Sequence, residues 1–267
     1  MPLVIYPMPL QVMTFNLRHA SDIPPNTWAS RRPVVSELLR RRAPDLIGTQ
    51  EGLYAQLQDI ARDRPEFSWI GWGREGGSRG EFAAIFYRTG RLQSLAFDHF
   101  WLSETPQVVG SKSWGSSCVR MATWVRFRDL QSGRDFEFWN THLDHESQLA
   151  RERGAALIVQ RVEEQRTSLP VVLAGDFNAE ACANPAYNLF TDAGWSDTWF
   201  QSARRVEPDF ASFHGYAAPV PDAPHIDWIL TKGEVRADET RVVNFEIDGQ
   251  YPSDHFPVMA ALRIGEC

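Results

Sequence analysis

The chain has 267 residues, of which 43% are hydrophobic, so it is long enough to bury a large core. Its formal net charge of -7 argues against a protein that wraps long duplex nucleic acid by neutralising the phosphates. A small ligand that carries a single phosphate is easier to accommodate. The three cysteines, Cys118, Cys182 and Cys267, are too few and too scattered for a disulfide framework or a thiolate metal site, so we expect free thiols.

The sequence carries no sign of a membrane segment or of a division into several domains. No apolar run approaches the length of a transmembrane helix, and residues 1–10 lack the basic start and long apolar stretch of a signal peptide. We therefore expect a cytoplasmic protein with no membrane partner, unless a leader has been removed. No linker or internal repeat divides the chain, which predicts a single domain over residues 1–267, and we expect a monomer.

Strand and helix patterns alternate along the chain. Residues 11–15 alternate polar and apolar side chains, which is typical of a strand, whereas residues 30–42 have apolar side chains at helical spacing. The continuous apolar run 171–173 predicts a buried strand. Further strands are predicted over residues 45–51, 69–72, 81–88, 92–100, 120–127, 135–140, 226–230, 240–245 and 258–262, and further helices over residues 53–60, 147–165 and 185–190.

Two of the strand pairs are separated only by short turns. Thr89 and Gly90 join residues 81–88 to residues 92–100, so these strands are predicted to be neighbours. The turn at residues 131–133 likewise predicts a hairpin between residues 120–127 and 135–140. The glycine-rich loop 73–80 joins two strands rather than a strand and a helix, which indicates a flexible rim and not a nucleotide-binding loop.

Polar side chains follow several of the predicted strands. After the buried run 171–173, Gly175-Asp176-Phe177-Asn178 presents two oxygen-bearing side chains two residues apart, as a divalent cation or an attacking water requires. Taken alone, this motif is more often an Asx turn. Asp227 lies in an apolar strand and needs a partner, because an isolated buried charge is costly, and the loop 251–257 is predicted to supply it.

Together these segments resemble the endonuclease/exonuclease/phosphatase superfamily, which has a DNase I-like fold. The motifs of that family stand here, in the same order, as Phe15-Asn16, Gln50-Glu51, Asn140-Thr141-His142, Gly175-Asp176-Phe177-Asn178, Ile226-Asp227 and Ser253-Asp254-His255. The resemblance covers nearly the full length. It implies an α/β (α+β) fold in four layers, an α/β/β/α sandwich, with the active site where the strand ends meet.

The resemblance also implies a metal site and an activated water. Glu51 would be the principal ligand of Mg²⁺ or Mn²⁺, with Asn16 and Asp254 completing or supporting the site, because hard cations prefer oxygen ligands. Asp176 would orient or deprotonate the attacking water. Asn178 would hold that water or a phosphoryl oxygen in place.

The histidines implied by the resemblance would act on the phosphoryl group. His255, kept protonated and oriented by Asp227, and His142 would stabilise the charge on the phosphoryl oxygens in the transition state. The implied reaction is in-line attack of water on phosphorus. For each histidine alone, a structural role would be at least as common as a catalytic one.

Substrate binding is expected to involve four further residues. Arg18 and Arg120 are candidates for gripping phosphate, because a guanidinium can bind two oxygens at once. His145 and His214 are expected to line the pocket. One departure from the family pattern is His225, where relatives commonly have an arginine, so a phosphate contact from that side is in doubt.

Further motifs narrow the resemblance to a bacterial branch whose members are described only as hydrolases or phosphatases. These motifs are Phe100-Trp101-Leu102-Ser103, Arg120-Met121-Ala122-Thr123-Trp124, Asn140-Thr141-His142-Leu143-Asp144-His145 and Ser212-Phe213-His214-Gly215. Arg18 stands where endonucleases specific for abasic sites have an acidic metal ligand. An abasic-site repair role is therefore disfavoured.

The leading hypothesis is a metal-dependent phosphoesterase that hydrolyses phosphate mono- or diesters of a small soluble substrate, either a sugar phosphate or a nucleotide. The alternative is a nuclease on single-stranded or short nucleic acid, but the main arginine cluster, residues 40–42, lies at a helix end. A lipid phosphodiesterase is less favoured, because no protruding apolar hairpin is evident. A non-enzymatic binding protein would be expected to have lost a metal ligand or the Asp/His pair, and this chain keeps them.

Overall fold

The computed structural model describes residues 8–206 and 208–265. Within these ranges the chain forms thirteen strands and five helices. The strands are β1 (Leu10–Asn16), β2 (Leu46–Leu53), β3 (Phe67–Ile70), β4 (Glu81–Arg88), β5 (Leu92–Trp101), β6 (Met121–Asp129), β7 (Asp135–His142), β8 (Val171–Asp176), β9 (Ser196–Asp197), β10 (Arg204–Arg205), β11 (Asp227–Lys232), β12 (Val235–Val242) and β13 (Val258–Ile264). The helices are α1 (Trp28–Arg42), α2 (Tyr54–Asp63), α3 (Gln148–Glu164), α4 (Pro185–Asp192) and α5 (Thr198–Gln201).

The strands form two sheets, each with parallel and antiparallel pairs. The first sheet has the order β10-β12-β13-β1-β2-β4-β3, and the second has the order β5-β6-β7-β8-β11-β9. The pairs β1/β2 and β7/β8 are parallel, so the carboxyl ends of the two strands in each pair lie side by side. The antiparallel strands β11 and β13 begin beside these ends.

Apolar side chains on both faces of each sheet hold the layers together. In β1, Val12 packs between the two sheets, whereas its neighbour Met13 packs with α1 and α2 on the outer face. In β8, Val172 faces the other sheet, and Leu173 packs with α3 and α4. Burial of each such side chain contributes about 1.5–3 kcal/mol. The order of layers is helix, sheet, sheet, helix, which confirms the predicted α/β/β/α sandwich.

The predicted pairing of residues 81–88 with residues 92–100 is wrong. The turn at Thr89 and Gly90 carries the chain from one sheet to the other, so β4 pairs with β2 and β3, whereas β5 pairs with β6. The buried Arg91 fixes this crossing, because its Nε donates to Asp129 at the end of β6 (2.7 Å). Local alternation does not reveal which sheet a strand joins.

The position of β12 also differs from the predicted strand over residues 240–245. The strand lies earlier in the chain, and a bulge between Ala237 and Glu239 interrupts its alternation. Beyond Val242, the backbone N–H of Val243 leaves the ladder and donates to the carbonyl of Pro257 (2.7 Å). The bulge masks the period-two pattern, because it shifts later side chains to the opposite face.

A buried amide connects the two sheets directly beneath the strand ends. Asn140 in β7 donates its side-chain N–H groups to the carbonyls of Thr49 in β2 (2.8 Å) and Ala84 in β4 (2.9 Å). Its side-chain oxygen accepts from Gln50 (2.7 Å). A side chain at Gly48 would collide with Asn140, because a Cβ there would lie 2.8 Å from the amide oxygen. The two sheets are therefore held in fixed register where the polar strand ends meet.

The buried carboxyl group of Asp197 predicts a pH-dependent stability. Burial raises its pKa to about 6, and its oxygens accept from the backbone N–H of Trp199 (2.8 Å) and the hydroxyl of Tyr187 (3.3 Å). Between pH 4 and 6 the native state holds this proton more tightly than the unfolded state, so rising pH removes about 3 kcal/mol of stability. Asp197→Asn keeps both contacts without the charge, and its stability advantage over the unaltered protein is expected to grow across that window.

Urea unfolding at pH 4, 5, 6 and 7 measures this difference for both proteins. The exposed Asp192 in α4 offers a matched control, because Asp192→Asn removes a carboxylate in contact with solvent. A stability difference between Asp197→Asn and the unaltered protein that stays constant with pH would show that Asp197 ionises normally in the native state.

Two of the cysteines fall within the described residues. Cys118 and Cys182 are free, as predicted, whereas Cys267 lies outside the described residues, as does most of the 1–10 segment. Across the ranges that the structure covers, no helix combines the length and apolar character needed to cross a membrane.

Candidate active site

The polar strand ends surround a cavity of about 370 Å³ at one edge of the sandwich. Asn16 at the end of β1 lies opposite Gln50 in β2, and His142 at the end of β7 lies opposite Asp176 in β8. Asp227 at the start of β11 is also opposite Asp176. The cavity is lined by nine of the twelve site residues predicted from sequence: Arg18, Glu51, Arg120, His142, His145, Asp176, Asn178, Asp254 and His255.

Asn16 lies behind the cavity wall and connects two of its carboxylates. Its side-chain Nδ2 donates to Glu51 (3.0 Å) and to Asp176 (2.8 Å), while its oxygen accepts from the backbone N–H of Arg18 (2.9 Å). The side chain is fully buried. The amide oxygen accepts one hydrogen bond and keeps a second lone pair, so both roles expected for Asn16, completing or supporting the metal site, stay predictions.

Glu51 is held as an anion by its neighbours. Burial acts to raise the pKa of Glu51, but hydrogen bonds from His19 and Asn16 hold it well below its usual range. The Oε2 atom lies 3.1 Å from the backbone nitrogen of His19 and 3.2 Å from its ring Nδ1. Glu51 thus presents a permanent negative charge at the cavity, in a backbone conformation of positive φ (60°).

Arg18 lies between the two carboxylates that were predicted to bind metal. Its guanidinium is 3.7 Å from Glu51 and 3.5 Å from Asp254, which is ion-pair distance but longer than a hydrogen bond. The side chain is 41% exposed, so it can move without disturbing the core. A positive charge is therefore already favoured in this space.

Asp227, His255 and Asp176 form a buried row. The Nδ1 of His255 contacts Asp227 (2.9 Å), and its Nε2 lies 3.7 Å from Asp176. Burial alone would lower the pKa of His255, but the two flanking carboxylates outweigh it and raise the pKa to about 10. Burial and the charge of Asp227 raise the pKa of Asp176 to about 7. The imidazole of His255 therefore carries a proton at neutral pH and points it towards the cavity.

His142, unlike His255, is uncharged. Burial and the positive charge of Arg120 lower its pKa well below the ordinary value, so the ring is neutral. Its Nε2 lies 3.0 Å from the side-chain nitrogen of Asn178, which also donates to the carbonyl of Leu143 (3.1 Å). The two histidines that were expected to share the stabilisation of the phosphoryl oxygens thus differ in charge: His255 is a cationic donor, as expected from its pairing with Asp227, and His142 is a neutral ring held in place by Asn178.

Arg120 contributes a buried positive charge to the opposite wall. Its side chain is 6% exposed, and its Nη2 lies 3.1 Å from Nδ1 of His145. Within residues 8–206 and 208–265, its Nε has no hydrogen-bond partner and no carboxylate lies within ion-pair distance of it. A buried guanidinium left unpaired is costly, so this wall is prepared for an anionic ligand.

One residue that was predicted to line the cavity, His214, lies outside it. His214 stacks on Phe256, with ring centroids 3.9 Å apart, and its nitrogens lie near the carbonyls of Ser253 (3.1 Å) and Ala217 (3.2 Å). It therefore shapes the loop that carries Asp254 instead of lining the pocket, which corrects its expected role. His214 directly follows Phe213, and it is Phe213 that lines the cavity.

Sequence reasoning missed six residues that line the cavity: His19, Arg74, Glu81, Cys118, Phe213 and Ile226. Arg74 and Glu81 pair with each other (2.6 Å) across the ends of the glycine-rich loop. Phe213 stands edge-on to His255, with ring centroids 5.0 Å apart. In the sequence, these residues are marked only by standing near the motif residues or near the glycine-rich loop 73–80. Loop positions have no periodic pattern that would reveal their side chains.

The comparison with known proteins agrees with this geometry. The model of the endonuclease/exonuclease/phosphatase family matches residues 13–255. The chain belongs to this family. Members of the endonuclease/exonuclease/phosphatase family are hydrolases that act on phosphate esters, and they generally use divalent metal ions.

Similar structures of family members come from Bacteroides. A family protein of Bacteroides vulgatus is 34% identical and has a TM-score of 0.90, with 96% of this chain and 98% of that one covered. A mannosyl-6-phosphatase of Bacteroides thetaiotaomicron is 31% identical, also with a TM-score of 0.90, and the coverage is 95% and 99%. An uncharacterised protein of Acanthamoeba polyphaga mimivirus is 26% identical over 162 residues, and the matched part spans 57% of this chain but only 60% of the viral protein.

The donor groups of the site fit the divalent cation that the family generally uses. Ligand atoms of Glu51, His142 and Asp176 all lie within 4.8 Å of one another. Glu51 is ionised, and Asp254 provides a second carboxylate on the other side of the Arg18 guanidinium. Oxygen donors dominate this set, which suits Mg²⁺ or Mn²⁺ better than a metal that requires thiolates.

Proposed function

We propose that this protein is a divalent-metal-dependent phosphoesterase that hydrolyses the phosphate monoester of a small polar alcohol, such as a sugar phosphate. The observation that carries the proposal is the row formed by Asp227, His255 and Asp176 in a small cavity with the buried Arg120, which has no carboxylate within ion-pair distance among the described residues. The Bacteroides thetaiotaomicron relative, a mannosyl-6-phosphatase, supports a sugar phosphate as the substrate class.

In this proposal, Glu51 and Asp254 hold the cation, and Asn16 orients Glu51. A bound Mg²⁺ or Mn²⁺ would neutralise charge on the phosphoryl group and favour its in-line displacement. Arg18 lies between the two carboxylates and would turn towards the phosphate oxygens. Its exposed guanidinium suits that change better than a buried one would.

Asp176 is proposed to accept the proton of the attacking water. A base works best when its pKa lies near the operating pH, and the pKa of Asp176 is raised to about 7. The backbone N–H of Asn178 donates to one oxygen of this carboxylate (2.9 Å), and Asn16 donates to the other (2.8 Å). These two bonds fix the carboxylate plane, so the oxygen that receives the proton does not need to reorient.

His255 is proposed to stabilise the phosphoryl oxygens through Nε2–H. Asp227 engages the other ring nitrogen, which orients the ring and keeps it protonated. Neutral His142 and the amide of Asn178 contribute dipoles on the neighbouring strand end. Charge and dipoles that are fixed before the reaction lower the barrier without reorganisation, and one such donor is worth about 10²–10³ in kcat.

Arg120 supports a monoester over a diester. A monoester phosphate is a dianion near neutral pH, whereas a diester carries a single negative charge. Among the residues that the structure describes, no carboxylate lies within ion-pair distance of the buried guanidinium of Arg120, so the guanidinium would stabilise the additional charge. His145, which lies 3.1 Å from Arg120, would help to orient it.

Two other activities remain as alternatives to be tested. A nuclease would need a surface that neutralises several phosphates, and the net charge of -7 does not favour one. A lipid phosphodiesterase would need an apolar surface for the membrane. The proposed partner is therefore a small phosphorylated molecule, with single-stranded nucleic acid as the alternative.

Hydrolysis of a substrate panel at two salt concentrations separates these activities. The panel contains a hexose 6-phosphate, a nucleoside monophosphate, a small phosphate diester (the bis-ester) and single-stranded DNA, each with Mg²⁺ or Mn²⁺. We expect turnover of monoesters with little change between 50 and 200 mM salt, because roughly one phosphate is bound. Turnover of DNA that falls steeply with salt, without turnover of monoesters, would favour the nuclease and overturn the proposal.

Arg120→Met in the same panel tests the origin of the monoester preference. The variant is expected to lose about 10–100-fold in kcat/KM for monoesters and less for the bis-ester, because charge-assisted hydrogen bonds are worth about 1.5–3 kcal/mol. Arg128→Met, in the strand β6 that begins directly after Arg120, is the matched control, since Arg128 pairs with Asp135 at an exposed position. Equal losses for monoester and bis-ester would assign Arg120 a role that does not depend on substrate charge.

A further inference from the structure

Arg31 in α1 is a fully buried arginine with an unusual set of partners. Its neighbour Arg32 pairs with carboxylates of α2, and Arg40 and Arg41 pair with Glu37. The guanidinium of Arg31 instead donates to five backbone carbonyl groups, and in the described part of the chain no carboxylate lies within ion-pair distance of it. Its exposed fraction is 0%.

The five carbonyls belong to two loops that carry site residues. The loop between β1 and α1 provides four of them, which are those of Leu17 (2.6 Å), Arg18 (3.0 Å), His19 (3.2 Å) and Asn26 (3.1 Å). The loop before β13 provides the fifth, from Pro252 (3.0 Å). A single Nη1 atom donates to both Leu17 and Pro252, so it is shared between the two loops.

The first of these loops donates a hydrogen bond to Glu51, and the second contains Asp254. The backbone N–H of His19 donates to Glu51 (3.1 Å), and Asp254 follows Pro252 by two residues. A planar guanidinium has five N–H donors in a fixed fork, so it sets the distance and the angle between the groups that it joins. Arg31 therefore joins the backbone segments next to both carboxylates.

A second, neutral hydrogen bond joins the same regions. The hydroxyl of Ser253 donates to the carbonyl of Asn16 at the end of β1 (2.7 Å). The two loops therefore remain connected if the Arg31 bonds are weakened. What Arg31 adds is a fixed geometry and a buried positive charge, which interacts with the negative charges of Asp254 and Glu51.

We propose that Arg31 is a positioning residue that holds Glu51 and Asp254 at the separation required by the divalent cation and thereby sets the metal affinity of the site. This inference rests on the proposed metal-dependent function. Arg31 touches neither the cation nor the substrate. It acts through the carbonyls of the two loops, as supporting groups around a metal site orient the ligands.

Isothermal titration with Mn²⁺ tests the proposal on Arg31→Lys. An ammonium group has three donors on a flexible stem and cannot reach all five carbonyls. The dissociation constant for Mn²⁺ is expected to rise about 10–100-fold, the loss typical of supporting residues around metal sites. Activity lost in Arg31→Lys is expected to return as Mn²⁺ is raised, with KM for substrate nearly unchanged.

Arg32→Lys is the matched control, because it makes the same change one residue along the helix, where the partners are carboxylates of α2. It is expected to bind Mn²⁺ as the unaltered protein does. If Arg31→Lys had a lowered melting temperature but an unchanged Mn²⁺ affinity, this inference would be overturned and the proposed metal-dependent function would stand. Failure of the unaltered protein to bind Mn²⁺ would overturn the proposed metal-dependent function, and this inference with it.

If Arg31→Lys does not fold, native-state hydrogen exchange of the unaltered protein decides the question. The amides of His19 and His255 report on the two loops that Arg31 joins. We expect them to open with the same free energy and to be protected to the same extent by Mn²⁺. Independent opening of the two amides would show that Arg31 does not couple the loops, and it would overturn the proposal.

Discussion

Replacing Glu51 with glutamine is expected to lower kcat/KM for a phosphate monoester by about 10³-fold or more, equivalent to about 4 kcal/mol of transition-state stabilisation. The substitution keeps the shape of the side chain but removes the charge that holds the cation. Glu51 is held as an anion at the cavity, because His19 and Asn16 hydrogen-bond its carboxylate. Titration with Mn²⁺ should show a corresponding loss of affinity.

Glu81→Gln is the matched control for this experiment. Glu81 lines the same cavity, but it pairs with Arg74 (2.6 Å), and burial raises its pKa, so it is a poorer ligand for a cation. We expect it to retain the metal affinity and to lose less than about tenfold in kcat/KM. If Glu51→Gln bound Mn²⁺ as tightly as Glu81→Gln did, the metal site would have to lie elsewhere.

Removing His255 or the charge of Asp227 is expected to have the second large effect. His255→Gln should lower kcat by about 10²–10³-fold, because it removes a cationic donor aimed at the phosphoryl oxygens. The protonated imidazole is the active form, so activity in the unaltered protein is lost as pH rises through the His255 pKa of about 10. Asp227→Asn removes the main charge that raises this pKa, and the alkaline limb of the pH-rate profile should therefore move to lower pH.

The profile is measured with saturating metal at each pH, because metal release would move the same limb. Asp209→Asn provides the control, since Asp209 contacts His225 (2.7 Å) in a second carboxylate–histidine pair, and neither residue lines the cavity in the described ranges. This control should leave the alkaline limb in place. An unchanged limb and a near-normal rate in Asp227→Asn would make the Asp227–His255 pair structural.

The sequence predicted the parts of the site that lie at strand ends. Asp176 ends an apolar run, Asp227 lies near the start of one, and Glu51 closes the short predicted strand 45–51, so the strand pattern marked their positions. The family resemblance supplied their order. The contact between Asp227 and His255 (2.9 Å) was expected, because a carboxylate in an apolar strand requires a partner. The roles assigned to these residues in catalysis and metal binding stay predictions, as do the single domain over residues 1–267 and the monomer.

Long-range contacts determined what the sequence could not predict. β4 and β5 lie in different sheets, and the ion pair at their crossing joins Arg91 to Asp129, 38 residues along the chain. Arg31 was placed in a helix, but its bond to Pro252 spans 221 residues. No local pattern distinguishes such an arginine from the solvated Arg40 on the same helix, because the difference is in the surroundings and not in the residue.

The most direct test of the proposed metal-dependent hydrolysis is phosphate release from a hexose 6-phosphate before and after removal of divalent ions by a chelator. Because Glu51 and Asp254 are proposed to act through the cation that they hold, we predict no turnover after chelation. Addition of Mg²⁺ or Mn²⁺ in excess of the chelator should restore it. Turnover that continues at an undiminished rate after exhaustive chelation would contradict the central claim.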